Sequence, residues 1–220
     1  MMHARPYWLL PLLMLIIIAT TVACGFALTL DGPANFDAPI LLWFRDSNDT
    51  AQLAGLPWMR QFWLSMTWLG DTTPRLVVAG LAILGLLLLR RWHSALFVTG
   101  VLLSGITLST LIKGWVGRPR PQLVAHLDQV GSMSFPSGHA LNSTLFYLTI
   151  TLIIAPLITH RIARWLLYCL AISSPLAIGI SRVALGVHWP SDVLASWVIA
   201  YCWLGLWVML AKHYWPKALT

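Results

Sequence analysis

Charged side chains are scarce in this chain of 220 residues: only 10% of the residues are charged, whereas 58% are hydrophobic. A soluble domain of this length needs far more polar surface to stay dispersed in water, so the composition excludes an ordinary soluble protein. The length suits a single domain covering residues 1–220, and the sequence has no internal repeat or low-complexity tract. The composition therefore predicts a membrane-embedded protein.

Cysteine is also rare, with three copies at Cys24, Cys169 and Cys202. Each lies inside an apolar run, and their spacing is not that of metal ligands. We interpret all three as small packing residues, and we expect neither a disulfide nor a metal site from them.

Acidic residues number only 7 against 14 lysines and arginines, which gives a net charge of +7. In a soluble protein this excess would raise the question of nucleic acid. In a membrane protein it indicates basic anchors beside the spans and a site for an anion, and we expect no nucleic-acid partner.

Six apolar stretches are long enough to cross a bilayer, which requires about 20 residues in a helix. They cover, to within a few residues, 7–30, 74–90, 94–112, 138–158, 162–181 and 190–211. The first is too long for the apolar part of a typical signal peptide, so we expect it to remain as a helix.

The long segment 31–73 contains a further amphipathic stretch. Residues 57–66 repeat aromatic and methionine side chains at three- to four-residue spacing after Pro57, which predicts a helix lying on the membrane. The predicted fold class is therefore an all-α, polytopic membrane helix bundle with six transmembrane helices and an interfacial helix in the first outer loop.

Basic residues predict the orientation. Alternating spans place both termini on one face with the basic residues Arg5, Arg90, Arg91, Arg161, Arg164, Lys212 and Lys217. The other face has as many cations, but it also carries every acidic residue, and three of its cations are interpreted below as site residues. The positive-inside rule then favours cytoplasmic termini, with the segment 31–73 facing outward.

Three polar clusters interrupt the apolar pattern, each at the outer end of a predicted helix. They comprise residues 113–121, 135–139 and 181–192. Ionisable residues beside membrane spans are energetically costly and mark functional sites. Because all three clusters fall on the same face, we expect them to meet in space.

The cations of these clusters suit an anionic ligand. Lys113, Arg120 and Arg182 have no acidic residue nearby in sequence, and together they would balance about two negative charges. Ser137 and Gly138 open a helix, where backbone N–H groups attract phosphate and glycine permits close approach. A structural role for Ser137, as the N-cap of that helix, is equally consistent with its position.

Two histidines suit nucleophilic and acid–base roles. Asp192 follows His188 by four residues, close enough to accept a hydrogen bond from the imidazole. A carboxylate on one ring nitrogen leaves the other nitrogen free as a nucleophile. His139 is then available to donate a proton to the leaving oxygen. Together with the cations, these roles predict phosphoryl transfer.

Other interpretations of these residues are weaker. The side chains of His139, His188 and Asp192 are also of the kind that bind metals, but three nearby cations would repel a divalent ion. Arg118 flanks the first cluster and is interpreted as a lipid-headgroup or solvent contact. Asp128 and the remaining histidines are interpreted as loop or interfacial residues.

The clusters resemble the type 2 phosphatidic acid phosphatase (PAP2) family, which shares its site with vanadium haloperoxidases and bacterial acid phosphatases. Three motifs carry the resemblance: Lys, six residues, Arg-Pro; then Pro-Ser-Gly-His; then Ser-Arg, five residues, His, three residues, Asp. In this chain they fall at 113–121, 136–139 and 181–192, in order and with matching internal spacing. A small departure is Ser196, where many relatives carry glycine.

The resemblance implies a division of roles. His188 would attack phosphorus, Asp192 would orient His188, and His139 would protonate the leaving group. The phosphoryl oxygens would be held by Lys113, Arg120, Arg182, Ser137 and the Gly138 N–H. No metal or other cofactor is expected, because the cations stabilise the developing charge.

The leading hypothesis is a membrane lipid phosphatase that acts on a phosphomonoester or diphosphate headgroup through a phosphohistidine. Undecaprenyl diphosphate, phosphatidylglycerol phosphate and phosphatidic acid are the expected substrates, with a preference for the polyprenyl diphosphate. The alternatives are a lipid-to-lipid phosphotransferase with the same site, and a non-catalytic transporter or anion-binding membrane protein. We expect a bacterial inner-membrane protein whose site faces outward.

Overall fold

The computed structural model describes residues 8–219, and its regular structure is helical. Within this range eight α-helices follow one another: α1 (Leu9–Leu30), α2 (Asp37–Trp43), α3 (Trp58–Leu69), α4 (Thr72–Leu88), α5 (Trp92–Val116), α6 (Gly138–Ile154), α7 (Arg161–Ala184) and α8 (Pro190–Tyr214). Short 3-10 turns follow α6 and α8. Arg5 and the first residue of the predicted 7–30 span lie outside the described residues.

The expected membrane spans are confirmed as helices. α1, α5, α7 and α8 are each long and apolar enough to cross a bilayer, as is α6 together with the turn that follows it. α4 has only 17 residues, but α3 and α4 together form a pair of sufficient length with a bend of 43°. The described residues therefore contain five or six membrane-spanning candidates, and they form an integral membrane protein of the all-α class.

The segment between α1 and α4 contains two helices, although sequence analysis predicts only one. The predicted interfacial helix corresponds to α3, which packs against α7 and is separated from α4 by Gly70 and Asp71. A Cβ atom on Gly70 would lie 2.4 Å from Ile178 Cγ2, so glycine is required for this close approach to α7. The unpredicted helix, α2, is short and contacts α8.

α6 lies at the centre of the bundle, where it contacts α4, α5, α7 and α8. Leu141 and Leu145 of this helix are fully buried. Between helices in a bilayer, association depends on close side-chain packing more than on the expulsion of water. The central position of α6 brings its first turn, which carries the second motif, close to the ends of its neighbours.

Local signals set the helix ends that carry the polar clusters. α5 ends before Gly117, which adopts a left-handed φ of 64° as the C-cap. Ser137 caps α6 by accepting a hydrogen bond from the N–H three residues later, at 3.4 Å. α8 begins at Pro190, a favoured first helical residue. α5 is longer than the predicted 94–112 span, so Lys113 lies within its last turn and does not follow it.

Candidate active site

The three predicted clusters come together at one end of the bundle. Lys113 and Arg182 lie in the last turns of α5 and α7, while His139 and Asp192 lie in the first turns of α6 and α8. Because successive helices alternate in direction, these four ends meet. His188 lies in the short link between α7 and α8, near enough for the charges of the surrounding cations to act on it.

His188 is buried, with only 2% of its surface exposed. Its Nε2 lies 3.2 Å from Arg120 Nη1, and its Nδ1 lies 3.4 Å from Ser134 Oγ. A guanidinium only donates hydrogen bonds, so Nε2 is the nitrogen that accepts and Nδ1 carries the proton. Burial, and then the positive charges of Arg120 and Lys113, lowers the pKa of His188 well below its ordinary value. The ring is therefore neutral at neutral pH, with the Nε2 lone pair directed at Arg120.

Asp192 is fully buried, but it does not form the short hydrogen bond to His188 that its position predicts. Asp192 Oδ2 and His188 Nδ1 are 3.5 Å apart, which is longer than a normal N–H···O hydrogen bond. Ser134 Oγ donates to Asp192 Oδ2 at 2.5 Å and faces His188 Nδ1 at 3.4 Å. Asp192 therefore orients His188 through Ser134 as well as across the longer gap.

The interpretation of Arg118 as a surface contact is wrong. The side chain is 1% exposed, and it donates to Asp192 Oδ1 at 2.5 Å and to Asp37 Oδ2 at 3.0 Å. Ser191 Oγ accepts from Arg118 at 2.8 Å and donates to Asp37 Oδ2 at 2.7 Å. A guanidinium is stable in this buried position because two carboxylates compensate its charge. Arg118 thus holds one oxygen of Asp192 while Ser134 holds the other.

Lys113 and Arg120 contact backbone carbonyls of the loop 117–137. Lys113 Nζ donates to Met133 O at 2.6 Å, and Arg120 Nε donates to Ser132 O at 2.8 Å. Burial, followed by the charge of Arg182, lowers the pKa of Arg120 to about 10, so this side chain stays charged at neutral pH. Among residues 8–219 neither cation forms an ion pair, so both can exchange a carbonyl for a phosphoryl oxygen.

Arg182 has no acidic neighbour in sequence, but folding supplies one. Its Nη1 donates to Asp128 Oδ2 at 2.5 Å and also to Thr67 Oγ1. Asp128 lies in the loop 117–137, as expected, but its carboxylate is engaged with a residue of the predicted site. An anion that reaches Arg182 therefore competes with Asp128.

His139 is paired with Asp71, the residue between α3 and α4. His139 Nε2 lies 2.7 Å from Asp71 Oδ1. A carboxylate accepts hydrogen bonds, so Nε2 carries a proton and donates it. Within residues 8–219 the other ring nitrogen, Nδ1, has no hydrogen-bond partner, which leaves it free to face a substrate.

Ser137 and Gly138 open α6 beside the cation group. The Ser137 side chain is fully buried, and the predicted N-cap role is the one it has in this structure. A Cβ atom on Gly138 would lie 3.7 Å from Lys113 Cε, an ordinary contact distance. Packing within the protein therefore does not require glycine at this position, which is consistent with a close approach by a ligand.

A cleft of about 730 Å³ lies between α4, α5 and α6. Lys113, Gly138 and His139 belong both to its lining and to the predicted site, so the cleft leads to that site. Arg75 is its other charged lining residue, and no acidic residue is found in the part of the lining that the structure describes. His188 is not part of this lining.

The alternative metal site is not formed by the described residues. No group of three histidine, cysteine, aspartate or glutamate side chains within residues 8–219 is arranged to hold a metal ion. The carboxylate of Asp192 is engaged by Arg118 and Ser134, and His139 Nε2 is directed at Asp71.

Residues 94–215 match the family model of the PAP2 superfamily, over more than half of the chain and across all three motifs. This chain belongs to the PAP2 superfamily. The resemblance that the motifs predict is thereby confirmed.

Curated PAP2 relatives are lipid phosphatases by name. The chain is similar to phosphatidylglycerophosphatase B of Bacillus subtilis, with 31% identity over 152 residues, which cover 66% of this chain and 72% of the relative. It is similar to lipid A 1-phosphatase of Rhizobium etli, with 31% identity over 58% of each chain. Over 75 residues, 34% of this chain and 30% of the relative, it is 37% identical to an undecaprenyl-diphosphatase of Sulfolobus acidocaldarius.

The PAP2 fold is also found among solved structures. A crystal structure of a transmembrane PAP2 type phosphatidylglycerolphosphate phosphatase from Bacillus subtilis is similar, with a TM-score of 0.75 and 24% sequence identity. The match covers 93% of this chain and 96% of that chain. At this identity the likeness shows the fold.

Several residues that contact the site lie outside the PAP2 motifs, and sequence analysis does not single them out. They are Asp37, Asp71, Asp128 and Ser134. Asp37 is a lone acid in an apolar stretch and Asp71 directly precedes a helix, and these weak signals are the only ones available. Asp128 and Ser134 lie in a loop where no pattern distinguishes them from their neighbours.

Proposed function

We propose that this chain is a membrane lipid phosphatase that hydrolyses a phosphomonoester or diphosphate headgroup through a phosphohistidine at His188. The observation that carries the proposal is a neutral, buried His188 whose Nε2 faces Arg120 at 3.2 Å within a group of cations. The names of the PAP2 relatives support a lipid phosphate as the substrate. Lipids of the surrounding membrane are the other expected partners.

In the first half-reaction, His188 Nε2 attacks phosphorus, and the P–N bond forms as the P–O bond to the leaving group breaks. Lys113, Arg120 and Arg182 stabilise the negative charge that develops on the phosphoryl oxygens. The helix start at Ser137 and Gly138 adds hydrogen-bond donors to the same oxygens. The carboxylate of Asp192, with Ser134, balances the positive charge that develops on the His188 ring.

In the proposed reaction His139 enters protonated on both ring nitrogens, and it donates the Nδ1 proton to the leaving oxygen. Asp71 accepts from His139 Nε2 at 2.7 Å, so it orients the ring and stabilises its protonated form. In the second half-reaction a water molecule attacks the phosphohistidine, and His139 takes a proton from that water. The P–N bond then breaks, its electron pair returns to His188, and inorganic phosphate leaves.

We propose that the reaction proceeds without a metal cofactor. Lys113, Arg120 and Arg182 supply positive charge at the position where metal-dependent phosphoryl transfer enzymes place a divalent ion. Because these three side chains would repel a divalent ion, one site contains either the cationic side chains or a metal ion, and not both.

We also propose that residues 1–220 form one membrane-integral phosphatase domain in a bacterial inner membrane. Among the basic residues predicted to face outward and not assigned to the site, Arg45, Arg75 and Arg118 are buried and only Arg60 is exposed. The exposed basic charge is thus concentrated on the opposite face. This distribution favours cytoplasmic termini and a site on the outer face.

Phosphate release in detergent tests the proposal. The panel contains undecaprenyl diphosphate, phosphatidylglycerol phosphate, phosphatidic acid and a soluble phosphomonoester, with EDTA present. We expect release from at least one lipid, loss of that release in His188→Ala, and full activity in the control His213→Ala. Activity that persists in His188→Ala would exclude the phosphohistidine, and loss on adding EDTA would indicate a metal. Transfer that requires a second lipid as acceptor would identify a phosphotransferase.

A further inference from the structure

Arg75 is a buried cation that the proposed reaction does not use. It lies in the first turn of α4, is 8% exposed, and lines the cleft with Lys113 and His139. Its Nε donates to Gly70 O at 2.8 Å. For its two terminal nitrogens, the part of the chain that the structure describes provides no hydrogen-bond partner.

The acidic residue that acts on Arg75 is already engaged. Asp71 is close enough for its negative charge to stabilise the positive charge of Arg75. The Asp71 carboxylate, however, already accepts a hydrogen bond from His139 Nε2 at 2.7 Å. The terminal nitrogens of Arg75 are not among the buried side-chain atoms that lack a partner, so they are accessible from the cleft. An anion in the cleft would form charge-assisted hydrogen bonds with them. The cleft therefore presents Arg75 as a ready donor group for an anionic part of a ligand.

The direction of the reaction places the leaving group in this cleft. In-line displacement puts the nucleophile and the leaving group on opposite sides of phosphorus. His188 is not part of the cleft lining, whereas His139, the proton donor to the leaving oxygen, is. The leaving group therefore extends past His139 into the cleft that Arg75 lines.

We propose that Arg75 binds a second phosphate carried by the leaving group, and that it makes the protein selective for lipids with two phosphates. This inference rests on the proposed function. Two kinds of lipid have the required chemistry: a lipid diphosphate, whose leaving group is a phosphate monoester, and a lipid phosphate joined to its tail through a phosphodiester. The leaving group of phosphatidic acid is neutral and does not engage Arg75.

Matched substrate pairs test the selectivity. One pair is a polyprenyl diphosphate and the monophosphate of the same chain, and the other is phosphatidylglycerol phosphate and phosphatidic acid with the same acyl groups. Arg75→Gln is expected to lower kcat/KM for the two-phosphate lipids by about 10- to 100-fold, the scale of a hydrogen bond to a charged group. The monophosphates should change by no more than about threefold.

Control variants separate this role from a structural one. Arg75→Lys keeps the charge and should retain more of the selectivity, while Arg60→Gln removes an exposed cation outside the cleft and should change nothing. Melting in detergent checks that each variant is folded. Equal losses on both members of each pair would overturn the proposal. They would indicate that Arg75 instead stabilises the bend between α3 and α4 through its hydrogen bond to Gly70 O. A loss confined to one pair supports it and identifies which kind of second phosphate is bound.

A binding measurement keeps the inference distinct from the proposed reaction. If the unmodified protein releases no phosphate from any of the four lipids, the proposed function fails, and this binding measurement still tests Arg75. Calorimetry on His188→Ala should show inorganic diphosphate binding at least about tenfold more tightly than inorganic phosphate. Adding Arg75→Gln should abolish that difference. Equal affinities in His188→Ala would overturn the inference.

Discussion

Arg118 Nη1 donates to Asp192 Oδ1 at 2.5 Å, and neither side chain is more than 1% exposed. The same guanidinium reaches Asp37 on α2, which is buried as completely. The carboxylate beside the proposed nucleophile is thus held by a residue of the first motif and, through it, by a helix far away in sequence. The position of Asp192 depends on this network as well as on α8.

Removing the central cation of this network should be severe. Arg118→Met leaves the Asp37 and Asp192 carboxylates buried and unpaired, which costs about 3–5 kcal/mol of stability. We expect a large drop in melting temperature in detergent together with loss of activity. Arg118→Lys keeps a charge and should lose less, and the pair Asp37→Asn with Arg118→Met should recover part of the loss. A melting temperature equal to that of the unmodified protein in Arg118→Met would show that the network does not stabilise the fold.

Replacing the carboxylate beside His139 should affect difficult leaving groups most. Proton donation matters more as the leaving oxygen becomes more basic, so His139→Ala should slow alkyl phosphates more than aryl phosphates. Asp71→Asn should have the same trend with a smaller loss, because the ring remains but is less stabilised when protonated. The measurement is kcat across a series of leaving groups, with exposed Asp31→Asn as the control. Equal losses for all leaving groups would contradict the proton-donor role.

Ser134→Ala tests the bridge between Asp192 and His188. Removing a hydrogen bond to a charged group costs about 1.5–3 kcal/mol, so kcat should fall by roughly 10- to 100-fold. KM should change little, because Ser134 does not line the cleft. Ser65→Ala, on the exposed surface of α3, serves as the control. An unchanged kcat would mean that Asp192 acts on His188 directly across 3.5 Å.

The charge of Arg120 should set the acid limit of activity. Arg120 is, after burial, the largest cause of the lowered pKa of His188. In the proposed reaction His188 attacks in its neutral form, so activity should fall as the pH drops through this pKa. Arg120→Gln should raise the pKa and move the acidic limb of kcat/KM to higher pH, whereas Arg120→Lys should move it less. Ionisation of the substrate affects the unmodified protein and both variants equally. An acidic limb at the same pH in all three proteins would therefore contradict the role of Arg120 in lowering the pKa of His188.

Sequence analysis predicts those features that depend on local pattern. Apolar length locates the spans, and an interval of four residues brings His188 and Asp192 to the start of one helix. The partners of these residues depend instead on tertiary contacts. Ser134 lies 58 residues before Asp192, and Asp71 lies 68 residues before His139. No local pattern distinguishes such pairs, which is why these partners are missing from the predicted site.

Arg118 shows a different limit of local pattern. Arg118 and Arg120 are each followed by proline, and the spacing from Lys113 correctly selects Arg120 as the residue beside His188. The same spacing does not show that the Arg118 side chain points into the protein. The partner that explains the burial of Arg118 is the buried acid Asp37, on a short helix that apolar periodicity does not reveal. Only the folded arrangement of α2 against α8 explains why the first arginine is buried.

The loop 117–137 provides the groups that a bound phosphate would replace at the three cations of the proposed site. Lys113 and Arg120 are bonded to its carbonyls, and Arg182 is bonded to its Asp128. A phosphate bound at the proposed site would displace these groups, so its binding would release less free energy than binding to cations without partners. The same groups return as phosphate departs. Many anionic headgroups lie at a bilayer surface. Because Asp128 competes for Arg182, weakly binding anions would be excluded from the proposed site, and inorganic phosphate would dissociate readily.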